Sequence, residues 1–175
     1  TLQSMIAAVE SEYANTGDLD HQLSTAFNRL KQLLPDIEVP KVYTQISALD
    51  QSIVVGNGTI GISLDKYLGP DYPLYARYYS PSQRKQMSRE YILPDCLTFY
   101  LMSIYPLQRF ETRPQLERDL HIGKIQWIVN QVMTRRIYHS RYEEAVETLM
   151  KQNPKTTYED LLRMTDFSRF KVQEN

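Results

Sequence analysis

A chain of 175 residues, 42% hydrophobic and 23% charged, suffices for one domain with a full apolar core and is too apolar for a disordered tail. Its 20 Lys and Arg offset 21 Asp and Glu, so the formal net charge is −1, without the basic excess of a nucleic-acid binder. No apolar run approaches the roughly 18–20 residues needed to cross a bilayer, and a single cysteine, Cys96, excludes an intramolecular disulfide.

No signal peptide or initiator Met stands at Thr1, so the expectation is a fragment or processed form of a longer protein. Leu2, Ile6, Val9 and Tyr13 recur at spacings of three and four, which predicts a helix over 2–14. Asn15-Thr16-Gly17 breaks it. Asp18 is the expected N-cap of a second helix ending near Leu34, with Leu19, Leu23, Phe27, Leu30 and Leu34 on one stripe. His21 falls in its first turn and reads as a surface histidine. Pro35 ends the helix.

The β-forming part follows. Residues 42–47 alternate and are rich in β-branched and aromatic side chains. Residues 52–55 and 60–64 flank Gly56-Asn57-Gly58, whose glycines allow the positive φ that a hairpin needs. The fold class expected is therefore α+β, mostly helical, with a small antiparallel sheet of about three strands. Residues 66–80 form a long loop, with a helical turn near 74–79, in which Tyr67, Tyr72, Tyr75, Tyr78 and Tyr79 are candidates to line a groove.

Pro81–Met87 predicts a short helix, and 91–105 a longer one that is apolar on most sides and hence buried. Thr112-Arg113-Pro114 opens the next helix, which runs to Met133. Its Leu116, Leu120, Gly123 and Trp127 share a face, so Gly123 predicts a close approach, expected against the buried helix before it. Ser140 with Glu143 and Thr156 with Glu159 form expected capping boxes for helices over 140–153 and 157–165.

Two helices, a small sheet, a buried helix and a second long helix is an order of elements similar to that of zincin-type zinc peptidases. Those enzymes carry His-Glu-x-x-His on the buried helix, two imidazoles for Zn²⁺ and a glutamate that activates its water. Here the corresponding helix reads Tyr91-Ile92-Leu93-Pro94-Asp95-Cys96-Leu97 and holds no histidine. His21, His121 and His139 lack the spacing of a ligand pair, so neither metal nor cofactor is expected. Cys96 lies on the buried helix, where a thiol acts as a small apolar side chain. Gly56-x-Gly58-x-x-Gly61 opens onto a strand and not a helix, which makes it a hairpin and not a phosphate loop. Asp65 at a strand end, and Glu90 and Asp95 at a helix start, are explained by structural roles.

The stretches 39–47 (Val-Pro-x-Val-Tyr-Thr-x-Ile-Ser), 60–72 (Ile-Gly-Ile-Ser-Leu-Asp-Lys-Tyr-Leu-Gly-Pro-Asp-Tyr), 90–95 (Glu-Tyr-Ile-Leu-Pro-Asp) and Gly123-Lys124-Ile125 resemble the gliding-motility lipoprotein GldB family. The likeness is densest over 39–133. It implies one GldB-like domain over 1–175, part of a longer periplasmic lipoprotein whose anchor lies outside this chain, and a role in gliding or secretion machinery. It also implies kinship to zinc peptidases that retain their histidines. It transfers no catalytic residue.

The expectation is thus a non-catalytic binding or scaffolding module with a zincin-like groove and no metal site. Its partner would be a protein or peptide of the envelope, not nucleic acid, and it would meet the membrane only through the lipid anchor. Asp65, Tyr67, Tyr72, Glu90, Asp95 and His121 are the candidate groove residues, beside an edge strand over 59–65 able to accept an extended peptide. A rival hydrolase would need Glu90, Asp95 and His121 to converge in an open cleft. A third reading, an interaction domain working through 140–165, would need an exposed apolar patch there.

Overall fold

The stripes of apolar residues become helices close to where their spacing ends. The computed structural model describes residues 1–174, and its contacts gather into two units. The first holds Thr1–Asn28 and Glu38–Phe99; the second holds Arg29–Ile37 and the chain from Tyr100.

In the first unit, α1 (Leu2–Glu12) buries Met5 and Val9, with Tyr13 just beyond it, while Leu2 of the expected stripe is 56% exposed. Helix α2 (Gly17–Leu33), whose residues from Arg29 belong to the second unit, starts one residue before the expected cap. Asn15 Oδ1 accepts from the Gly17 amide, which leaves Asp18 inside the first turn. Its stripe Leu19, Leu23, Phe27, Leu30 and Leu34 is buried as the spacing predicts.

The sheet departs from expectation. Strands β1 (Lys41–Gln45), β2 (Ile53–Gly56) and β3 (Thr59–Ser63) lie in the order β1-β3-β2. β2 and β3 form the expected antiparallel hairpin, with Gly58 at φ +71° in its turn, but β1 runs parallel to β3. The sheet is mixed, and β3 is its centre and not an edge, so no peptide can add to the 59–65 strand. Gly61 is the physical reason: it pairs with Tyr43, and a Cβ there would sit 2.7 Å from the Tyr43 ring. A β3 without that side chain lets β1 lay its tyrosine across the central strand. After a 3-10 turn at Leu64–Lys66 come short helices α3 (Tyr75–Tyr78) and α4 (Pro81–Lys85), the latter closed by a Ser80–Gln83 capping box. Helix α5 (Ile92–Ile104) follows, its residues from Tyr100 belonging to the second unit.

In the second unit, α6 (Gln115–Met133) is buried along most of its length. It packs against α7 (Arg141–Gln152), and α8 (Tyr158–Arg163) lies against it as well. Gly123 does mark a close approach, but to α7 and not α5. A Cβ at Gly123 would meet the Tyr142 backbone carbon at 3.0 Å and the Glu143 nitrogen at 3.2 Å. Gly123→Ala should therefore lower stability by about 1–2 kcal/mol, because overpacking outweighs the roughly 1 kcal/mol of helix propensity gained. A urea midpoint unchanged or raised in G123A would contradict this contact.

The caps of α7 and α8 also differ from expectation. Ser140 accepts from the Glu143 amide, but the Glu143 carboxylate turns to Arg136 and leaves the box open. At α8 the box is Thr157 with Asp160, one residue later than the Thr156–Glu159 pair, because Glu159 accepts from Tyr105 and Arg163 instead. Among the described residues no large apolar side chain of 140–165 is exposed, so the apolar patch required of an interaction domain working through these helices is not formed. Among the described residues no helix is long and apolar enough to cross a membrane.

Candidate functional site

The parallel register between β1 and β3 carries on past the strands. Gln45 pairs with Ser63, and the same offset brings Ser47 to Asp65. Asp65 is fully buried. Its carboxylate accepts from the Ser47 amide at 2.8 Å and the Leu49 amide at 2.7 Å. Between and beside those amides, Ala48 (φ 55°) and Leu49 (φ 66°) both adopt left-handed backbone, a conformation that costs non-glycine residues on the order of 1 kcal/mol or more each. Asp65 is thus a clamp on a strained bend and not an open groove residue.

Tyr67, 2% exposed, donates from its hydroxyl to Asp95 Oδ2 at 2.6 Å and accepts at its carbonyl from the Tyr13 hydroxyl. The turn after β3 and the start of α5 are therefore joined. Burial raises the Asp95 carboxyl to about 6, although the Tyr67 hydroxyl bond pulls the other way. Burial also pushes the Tyr67 hydroxyl and the Cys96 thiol well above their ordinary ranges, which leaves Cys96 unreactive.

The remaining candidates are scattered. Glu90 is exposed and stands 3.5 Å from Ser88 Oγ. His121 belongs to the second unit, buried on α6, with Nε2 2.8 Å from the Tyr105 carbonyl oxygen. Burial and the Lys124 charge lower it to about 4, so it is neutral near pH 7 and Nε2 carries the donated proton. Among the described residues, no three His, Cys, Asp or Glu side chains gather as a metal site would require.

A groove does form in the first unit, in a different place. Leu2 and Met5 of α1, the bend at Leu49, and Leu74, Arg77 and Tyr78 around α3 enclose about 530 Å³. An adjoining hollow of about 410 Å³ extends it past Tyr72 and Pro73. Of the tyrosines expected to line a groove, Tyr72, Tyr78 and Tyr79 do so; Tyr67 and Tyr75 are core.

Residues 1–139 match the family described as gliding motility protein GldB. The chain belongs to the GldB family. No curated protein and no solved structure matches it. Membership makes this a gliding-motility-associated protein of a lipoprotein family, and α7 and α8 of this GldB chain lie beyond the matched segment.

Two buried polar residues of α6 escaped the sequence reading, and one of them, Lys124, reaches the segment beyond the match. Asn130 accepts from the amides of Ile137 and Tyr138 and donates to the Tyr138 carbonyl, fixing the turn that leads into α7. Lys124, with no exposed surface, donates to the carbonyls of Met164 at 2.7 Å and Leu162 at 3.4 Å and lies 4.9 Å from the Phe167 ring. Burial, helped by Arg113, lowers its ammonium to about 7. The signal was available: Lys124 falls four residues from both Leu120 and Ile128, on the apolar stripe.

Proposed function

We propose that this GldB chain is a non-catalytic binding or scaffolding module of the gliding or secretion machinery, facing the periplasm as part of a lipid-anchored envelope protein. The observation that carries the reading is how the acid–base groups are spent. Asp65 holds backbone amides, His121 faces a backbone carbonyl, and Asp95 receives a buried tyrosine hydroxyl. The order of elements, with two helices, a small sheet and two longer helices, supports descent from a zincin-like frame that kept its scaffold and not its chelators.

One feature favours a hydrolase. A carboxyl near 6 is poised for proton transfer around neutral pH. Asp95→Asn separates the two readings, because an amide oxygen still accepts from Tyr67 while the titrating proton is gone. In a gliding bacterium deleted for its own copy, D95N and His121→Gln should each restore gliding to wild-type speed. Loss of gliding in either variant, at unchanged protein level and melting temperature, would reject the non-catalytic reading.

A further inference from the structure

We infer that the groove of the first unit docks an acidic peptide segment of a protein partner, one that carries a carboxylate beside a large apolar side chain. The inference rests on the binding-module reading and names the chemistry of its partner. Among the described residues, Arg77 is the only Asp, Glu, Lys or Arg that lines the main groove or the adjoining hollow. Among the described residues its guanidinium makes no side-chain hydrogen bond or ion pair, and the residue is exposed.

The contrast with the second unit sharpens the point. There a hollow of about 460 Å³ sets Arg135, Arg136 and Lys151 among carboxylates, with Arg136 on Glu143 at 2.8 Å and Lys151 on Glu147 at 3.2 Å, whereas the lining around Arg77 holds no carboxylate. In the first unit the charge is unanswered and the surface around it is apolar. Leu2 is 56% and Tyr78 64% exposed, and Leu49 and Leu74 complete the wall. An ion with no apolar body would leave those side chains in water, and an uncharged peptide would leave Arg77 unpaired under a desolvating lid.

The wall is also held in place before any partner arrives. Tyr79 receives Lys66 Nζ at 2.8 Å and packs edge-on to Tyr75 at 5.8 Å, and the Asp65 clamp fixes the bend at Leu49. Tyr78, Tyr79 and Arg77 are of the residue types enriched in binding hot spots, and a wall already held in place spares a partner part of the ordering cost. Two adjoining hollows that share Leu74 and Arg77 suit side chains spaced along a peptide better than a single small acid.

The test uses a phage-displayed library of random dodecapeptides selected on the full chain. Selected peptides are then measured by fluorescence anisotropy against wild type, Arg77→Glu and the control Lys85→Glu, an exposed charge of α4 off the groove. The selected sequences should place Asp or Glu within two positions of a Phe, Leu or Met. Their affinity should fall by about tenfold or more in R77E and stay within about twofold in K85E. Selection of peptides without acidic residues, equal binding to R77E, or no selected peptide at all would overturn the proposal. None of those results touches the non-catalytic reading, which falls only on the gliding of D95N and H121Q.

Discussion

Asp65→Ala should lower the stability of the folded chain by about 3–4 kcal/mol, the largest loss expected from any single polar side chain of the first unit. The carboxylate has no exposed surface and serves two amides at 2.8 and 2.7 Å, with Ser47 Oγ within 3.4 Å. An orphaned amide away from water costs about 1–3 kcal/mol, and alanine creates two. The left-handed conformations at Ala48 and Leu49 then lose the partner that holds them, so the bend relaxes and part of the strain is recovered. That recovery keeps the estimate below the sum of its parts. Asp65→Asn retains one acceptor oxygen and should lose about half as much. Urea unfolding followed by circular dichroism checks both variants. A loss under about 1 kcal/mol for D65A would mean that water replaces the carboxylate and that the clamp is not structural. Because Leu49 is a wall of the groove, the same variant should also weaken selected peptides, although Asp65 itself does not line it.

What the sequence allowed to be read follows from how far apart the cooperating residues are. The α2 stripe and the Gly56–Gly58 hairpin are local patterns, and both stand where their spacing put them. The placement of β1 depends on a pairing between residues 18 apart, Tyr43 on Gly61, which no local periodicity encodes. Gly61 was the available sign, since a glycine inside a strand marks a close approach. With β1 on the wrong side of β3, Asp65 looked like a free strand-end carboxylate instead of the acceptor for a bend two residues past β1. Asp65, Asp95 and His121 therefore proved to be internal ties, while Glu90 stays at the surface. Arg77, unpaired in an apolar groove, sits in a short helix where sequence alone marks it as one arginine among many. Lys124 is the opposite case, a charge on an apolar stripe, four residues from both Leu120 and Ile128.

Lys124 should make stability climb with pH just above neutrality. Folded, its ammonium gives up its proton near 7; unfolded, near the ordinary 10.5. Between those values the unfolded chain holds a proton that the folded chain does not, so raising the pH favours folding. Below about 7 both states are protonated, and the cost of burying the charge is incurred in full. From pH 7 to about 8.5 the rise should reach about 2 kcal/mol, before Cys96 and the buried tyrosines start to oppose it. Lys124→Met, which keeps the length of the side chain, should flatten that window. A side-chain titration of Lys124 by NMR with a midpoint near 10 would refute the premise directly. His121, one turn earlier on α6, adds a second limb of the same sign. Its folded value near 4 against an ordinary 6.5 means that stability falls by about 3 kcal/mol as pH drops across that interval. Asp95 in the first unit works against this limb, because a carboxyl raised to about 6 binds its proton more tightly when folded. The acid limb is therefore read as the difference between H121Q and wild type, and K124M should shorten it, because the Lys124 charge is part of what holds His121 low. K124M should thus remove the limb above neutrality and shorten the acid one, whereas H121Q should remove the acid limb and leave the upper one in place, since His121 is already neutral there.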